Sequence, residues 1–465
     1  MKKNKWVSGF LPMVMMSFST GSVYCWTLFR EDIMAHSSAF NNTILTWCFM
    51  LALFFLGMTA AFGGKIVERS VKRASLYTFI FFTAGWLITA IGVHIGGVFG
   101  VVLALIGFGP IQGIGLGLGY LTPIKTLMMW FHERKGFAAG VSIAAFGLAG
   151  LIGNPLIGLL LANVTVYQAF YILTALYGVL CFVSWVVIDR PELNEQEQAE
   201  KTFKLKEVVL TKKFIFLWVV LFLNIAAGLA LMSHEQQIYI MLGLHHEYNR
   251  MLIVALCMLT AGGGNLIGRL VCGAMQDKTP KKHLPYYIMS MASIAICIVA
   301  FAVIFGAPFW FVAFIAIFII QFFFGFGFAG LPGILHKSYG MKQLATIQGY
   351  MLTAWAIAAL AGPQIANLIL ELGTGSVYPY YHPNYVPPII STLNILFIVL
   401  AALFVVQLVF LLLFARLVKN EKNIDDTDEK GITDEVDCCP LETDTTDGEV
   451  MNGEVTIGDS VCDNL

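Results

Sequence analysis

A chain of 465 residues that is 58% hydrophobic and only 12% charged, with a mean hydropathy of +0.77, has too few polar side chains to cover a water-soluble globule. The composition suits the bilayer as solvent and membrane lipid as a partner. A formal net charge of −1 gives no reason to expect a nucleic-acid partner.

Crossing the hydrocarbon layer takes roughly 20 apolar residues per helix, and twelve such stretches follow one another along the chain. After the cations Lys2, Lys3 and Lys5 comes Trp6–Phe29, which lacks a small-residue cleavage site and reads as a retained signal anchor. Ile44–Gly64 leads into a charged loop. Ala74–Val93, Val98–Trp130, Phe137–Leu161 and Gln168–Ile188 complete a first half, expected as residues 1–188. The linker 189–213, rich in Glu, Gln and Lys, is expected to form a short amphipathic or solvated helix. A second half, residues 214–418, holds Phe214–Met241, Met251–Gly273, Leu284–Phe305, Pro308–Leu335, Leu344–Leu370 and Ile389–Leu417. Residues 419–465 form an acidic tail, expected to be disordered from Asn423 because it offers little burial against its ordering entropy. A passive solvated tail and a docking segment for a cytosolic partner are both compatible with it.

The charged loop Gly64-Lys-Ile-Val-Glu68-Arg69-Ser-Val-Lys72-Arg73 comes back 209 residues later as Gly273-Ala-Met-Gln-Asp277-Lys278-Thr-Pro-Lys281-Lys282. The offset holds elsewhere: Pro123 maps to Pro332, Gly140 to Gly349, Phe146 to Trp355 and Gly153 to Gly362. Such an internal repeat predicts two pseudo-symmetric six-helix bundles with a substrate site between them. Lys and Arg concentrate in alternate loops, the N-terminus, the linker and the stub after the last stretch. This predicts that both termini are cytoplasmic.

No paired carboxylate, Cys/His ligand set or strand-to-helix nucleophile motif is present, so no catalytic residue, metal site or cofactor is expected and the chain does not read as an enzyme. The nine cysteines are scattered, mostly single within apolar stretches. The run Gly113-Ile-Gly115-Leu-Gly117-Leu-Gly119 lies in a spanning helix, where glycines allow close helix packing.

Charges inside the membrane discriminate further. Arg269 stands eight residues before Asp277, about 12 Å along a helix axis, and the residue one turn back is Asn265 rather than an acid. An intramembrane cation faces a partner or a watery cavity, or snorkels to the headgroups. Its repeat mate is Ala60, so the charge is asymmetric, as suits one ligand bound off-axis. Guanidinium matches a carboxylate bidentately and stays charged at any working pH. Lys125, His234 and Glu235 are candidates for proton or anion coupling, with snorkelling or an ordinary solvated helix end as the plain alternatives. Tyr24, Trp26, Tyr120, Phe328 and Trp355 could wall a small pocket.

The two loops resemble the signature loop of the major facilitator superfamily, and the twelve stretches with a central linker match its layout. Within it, Ser22-Val-Tyr24-Cys-Trp26, Gly119-Tyr120-Leu-Thr-Pro123-Ile-Lys125, Trp130-Phe131, Arg134-Lys135-Gly136 and Asn265-x-x-Gly268-Arg269 resemble the oxalate/formate antiporter family, sister to the monocarboxylate transporters. The resemblance spans about residues 6–418. It implies an all-α membrane fold, alternating access, and gating by the loop groups Glu68, Arg69, Asp277 and Lys278. Val71 and Pro280 replace a glycine usual in these loops. Family members that handle oxalate carry a lysine on the eleventh helix, where this chain has Trp355. A dianion facing Arg269 alone would keep an unbalanced negative charge, so the expected substrate is a monocarboxylate such as formate, lactate or pyruvate. Its carriage is accompanied by a proton or a counter-anion, and the expected location is the plasma membrane. The expected binding residues are Arg269, Tyr24, Trp26, Tyr120 and Trp355. Dicarboxylate exchange, or a non-transporting carboxylate sensor signalling through the tail, is the alternative.

Overall fold

The structure, a computed structural model, describes residues 4–191, 202–242, 244, 252–253, 255–306, 310–371 and 390–436. Among them there is no β-strand, because in lipid a helix satisfies every backbone group within its own segment. Eleven helices are long and apolar enough to cross a membrane. The twelfth expected stretch, Trp6–Phe29, is helical but broken in type. A π-helical turn at Trp6–Phe10 leads into α1 (Leu11–Gly21), then a 3-10 helix at Ser22–Phe29 and a short helix at Arg30–His36.

The remaining spans are α2 (Asn42–Arg69), α3 (Val71–Ile95), α4 (Gln112–Trp130), α5 (Lys135–Asn163) and α6 (Val166–Val187) in the first half. The second half has α7 (Lys212–Met241), α8 (Asn265–Lys278), α9 (Leu284–Gly306) and α10 (Trp310–Tyr339), then α11 (Leu344–Met351, continuing as Thr353–Glu371) and α12 (Ile390–Val436). Local chemistry sets several of the starts. The Asn41 side chain accepts from the Ile44 amide at 2.9 Å, and Thr165 and Gln168 form a reciprocal capping box. Pro110 interrupts the helix entering α4, and the chain passes it in a π-helical turn, Gly107–Ile111.

Packing follows the repeat. α1 lies against α5 as α7 lies against α11, and α2 against α4 as α8 against α10. The halves meet along α5–α8 and α2–α11. Close approach there depends on small residues: a Cβ added to Gly140 would stand 2.9 Å from both the Arg269 carbonyl oxygen and the Gly273 Cα. Outward-facing Leu159, Val179 and Leu368 leave apolar side chains exposed, as lipid contact allows.

Within the linker, a five-residue helix forms at Leu205–Val209. Phe203 ties it to the loop before α11, its amide donating to Gln343 Oε1 at 2.7 Å and its carbonyl accepting from Gln343 Nε2 at 3.2 Å. Contacts group Met1–Arg416 into one compact unit and Leu417–Leu465 into another. This division stands beside the boundary expected at 418, and α12 continues through the start of the expected tail to Val436. A helix already nucleated in an apolar segment gains one backbone bond per added residue, whatever its side chains bury. Residues 437–465, including Cys438 and Cys439, lie outside the described residues, as do Lys2, Lys3 and Arg250.

Candidate functional site

Arg269 sits on α8 just past a π-helical turn, Met258–Gly264, and is 0% exposed. Its Nη1 donates to the Ile143 carbonyl of α5 at 2.5 Å, across the line where the halves meet. The buried Nε and Nη2 have no hydrogen-bond partner, and no carboxylate among the described residues pairs with the guanidinium. Snorkelling and neutralisation by an acid are thereby both excluded. Gly147, one turn beyond Ile143, leaves room for the charge: a Cβ there would lie 3.3 Å from Nη1.

Aromatic rings surround this cation. The guanidinium carbon stands 5.8 Å from the Phe328 ring centre, and Phe328 meets Trp355 edge-on at 4.6 Å. Trp355 contacts Tyr120 at 5.3 Å and Phe146 at 6.3 Å, and Phe146 also contacts Tyr24 at 5.6 Å and Tyr120 at 5.5 Å. Tyr24 and Tyr120 both lie within electrostatic reach of Arg269. The Tyr24 and Tyr120 hydroxyls and Trp355 Nε1 are buried without hydrogen-bond partners. Three expected binding residues, Tyr24, Tyr120 and Trp355, thus gather with Arg269.

Trp26 does not join them. Its indole N–H donates to the Leu45 carbonyl at 2.7 Å, and its ring packs on Phe108 at 3.9 Å and Phe170 at 6.2 Å inside the first half. Two positions apart, Tyr24 and Trp26 stand about 120° from each other around the 3-10 helix Ser22–Phe29, and would stand about 160° apart in an α-helix, so they point to different neighbours. Phe146 was missing from the expected site. Its signal was present in the sequence, because it is the repeat mate of Trp355 and the two rings touch across the pseudo-symmetry axis.

Nearer the charged loops, two acids bridge the halves. Asp277 accepts from the Gly136 amide at 2.7 Å and the Phe137 amide at 2.8 Å, in the first turn of α5. Glu68 accepts from the Ala345 amide at 2.8 Å and the Thr346 amide at 3.3 Å, in the first turn of α11. Each acid and each amide is displaced from its counterpart by the same 209 residues. A carboxylate at a helix N-terminus satisfies orphan N–H groups and meets the positive end of the dipole.

Lys125, expected as a coupling group, is part of this latch. It forms an ion pair with Glu68 and donates to the Lys342 carbonyl at 3.1 Å. The reason is register: five residues before the end of α4, it reaches the loop side. Of the loop bases, Lys278 is exposed, and Arg69 lines a cavity of about 890 Å³ together with Lys65, Glu68, Lys125, Arg190 and Lys342. His234 turns towards Ser233 and the Ala230 carbonyl, with Nδ1 2.8 Å from Ser233 Oγ. Glu235 is buried and accepts from the hydroxyls of Tyr239, at 3.1 Å, and Thr260.

A helical membrane bundle of two repeated halves, bridged near the charged loops by paired acids and holding a buried cation between them, has the architecture of a membrane transporter. Residues 8–363 match the sequence profile of the Major Facilitator Superfamily, and the chain belongs to that family. It is similar to the oxalate:formate antiporter of Oxalobacter formigenes, with 25% identity over 370 residues, covering 77% of this chain and 83% of that protein. A 49-residue segment is 47% identical to apicoplast pyruvate carrier 1 of Toxoplasma gondii, covering 10% of this chain and 9% of that one. Its fold is similar to that of the transporter FucP solved in its outward conformation, with a TM-score of 0.62 at 13% identity, covering 87% of this chain and 98% of that one.

Proposed function

We propose that this chain moves a small monocarboxylate, such as formate, lactate or pyruvate, across the membrane by alternating access, with residues 1–188 and 214–418 rocking about Arg269. One observation carries the reading: a fully buried guanidinium with two unpartnered nitrogens, ringed by aromatics whose own donors are unpartnered. Five donors and one positive charge match a single carboxylate. Bidentate pairing would use the planar fork, and the rings would exclude water and strengthen it. Tyr24, Tyr120, Trp355 and Phe146 are the other binding residues, and Glu68, Lys125 and Asp277 are the gate. The basic cavity at the loop face would concentrate anions before they enter.

The two named relatives frame the choice of substrate, since one is an oxalate:formate antiporter and the other a pyruvate carrier. Charge matching favours the monoanion, because the described binding residues offer one cation. The deciding measurement is uptake into proteoliposomes of labelled formate, lactate, pyruvate and oxalate. Preference for a monocarboxylate is expected; preference for oxalate over all three overturns the proposal. The multi-pass bundle belongs, in this reading, in the plasma membrane with both termini in the cytoplasm. Protease accessibility of an N-terminal tag in intact and permeabilised cells tests that.

A further inference from the structure

Outside the Arg269 cluster, one buried ionisable group stands apart. Glu235, on α7, is 3% exposed and stands at the end of the apolar span Lys212–Glu235. Its Oε1 accepts from Tyr239, one turn on along the same helix, and from Thr260 on the neighbouring segment. Both are neutral hydroxyl donors. The other titratable neighbour is Cys257, one turn before Thr260, while adjacent His234 is directed at Ser233 and Ala230. No described lysine or arginine pairs with Glu235. Its repeat mate is Trp26, so the carboxyl, like Arg269, exists in one half only.

A carboxylate held away from water without a cation is unfavourable, and taking up one proton removes that cost. The two hydroxyls keep a partner for the carboxyl oxygen in either charge state. Thr260 lies in the π-helical turn Met258–Gly264 and Arg269 nine residues further along the same helix, about 13 Å away. Asp277 lies about 12 Å beyond Arg269 on the other side. A single helical run therefore carries the hydroxyl that holds Glu235, the proposed substrate cation and the gate acid, with a π-helical turn between the first two. Such turns are places where a helix changes register at functional sites.

We propose that Glu235 is the proton-binding site of a proton–carboxylate symporter, with Tyr239 and Thr260 as its positioning residues. The inference rests on the carboxylate reading of Arg269. In each cycle one proton binds a Glu235 carboxyl oxygen from one side and leaves to the other, while one monocarboxylate anion crosses in the same direction. One positive and one negative charge move together, so the cycle is electroneutral. Lowered pH on the entry side raises the protonated fraction and drives accumulation.

The test uses the full chain in proteoliposomes with labelled pyruvate, formate and lactate, comparing wild type, Glu235→Gln and Glu235→Asp. Two readouts are taken: uptake driven by an inward proton gradient, and exchange of labelled for unlabelled substrate at equal pH. In the wild type, a gradient of one pH unit should raise accumulation severalfold. Glu235→Gln should abolish that stimulation and keep exchange, and Glu235→Asp should restore stimulation with a shifted pH profile. Gradient stimulation that persists in Glu235→Gln, or exchange without gradient stimulation in the wild type, overturns the proton site alone. Loss of exchange in both variants also overturns it, since the group would then be structural. Absence of exchange of all three acids in the wild type overturns the carboxylate reading and this inference with it.

Discussion

Removing the Arg269 guanidinium takes away the one cation that the described residues bring to the proposed carboxylate site, and its effect should be large. Breaking one partner of a buried pair costs about 3–5 kcal/mol, so Arg269→Ala should weaken substrate binding by a factor on the order of 10² to 10³. Thermal stabilisation by added carboxylate, measured on the purified protein, checks this separately from transport. Arg269→Lys keeps the charge and loses the planar fork, and should recover only part of the binding. Gly147→Ala presses a Cβ to 3.3 Å from Nη1 and should reduce uptake without loss of folded protein. Trp355→Lys adds a second cation among the same rings, and the ratio of oxalate to pyruvate uptake should rise; an unchanged ratio would contradict the charge-matching argument.

At the scale of elements, the latches are four backbone amides held by two acids, each a charge-assisted bond worth about 1.5–3 kcal/mol. Asp277→Asn frees the first turn of α5 and Glu68→Gln that of α11, so either should shift the population towards a state open at the loop face. A cysteine placed at Ser142, which is buried on α5, reports the shift: maleimide labelling should be faster in the Asp277→Asn background. Loss of Glu68 also removes the ion pair of Lys125, which is 2% exposed and still donates to the Lys342 carbonyl. Glu68→Gln should therefore destabilise the protein more than Asp277→Asn, and Lys125→Met should relieve part of that loss. Thermal unfolding of the three variants measures the difference.

For the whole molecule, the proposed cycle moves one anion and one proton together, which predicts uptake insensitive to membrane potential. Imposing a valinomycin potassium-diffusion potential should leave the initial rate unchanged, whereas a uniport of the anion would respond to it. Truncation after Lys422 should preserve uptake if the chain works as a transporter, and a sensor acting through its tail would lose its output. Much of this architecture was legible in one dimension. Hydropathy reported the spans because lipid forbids unpaired backbone, and the 209-residue repeat reported the pseudo-symmetry because duplicated halves keep their turn and packing residues. The asymmetry of Arg269 over Ala60 marked the candidate site, since a charge in the membrane needs a reason. Other placements depended on rotation or depth. Trp26 lies two positions, and so a different helix face, from Tyr24, Lys125 pairs with Glu68 through its place near the end of α4, and the last helix continues to Val436.

What the chain alone determined, then, is its solvent, its doubled topology and the asymmetric charge at Arg269, each fixed by composition or by fixed offsets along the sequence. Only the tertiary structure decided which atoms meet: Arg269 with Ile143 and the Phe328 ring, Trp355 with Phe146 and Phe328, each acid with the first turn of a helix in the other half, and Glu235 with Thr260. Those contacts join residues more than a hundred positions apart or on different helices, and they depend on how helices rotate and cross. No periodicity along the chain encodes that.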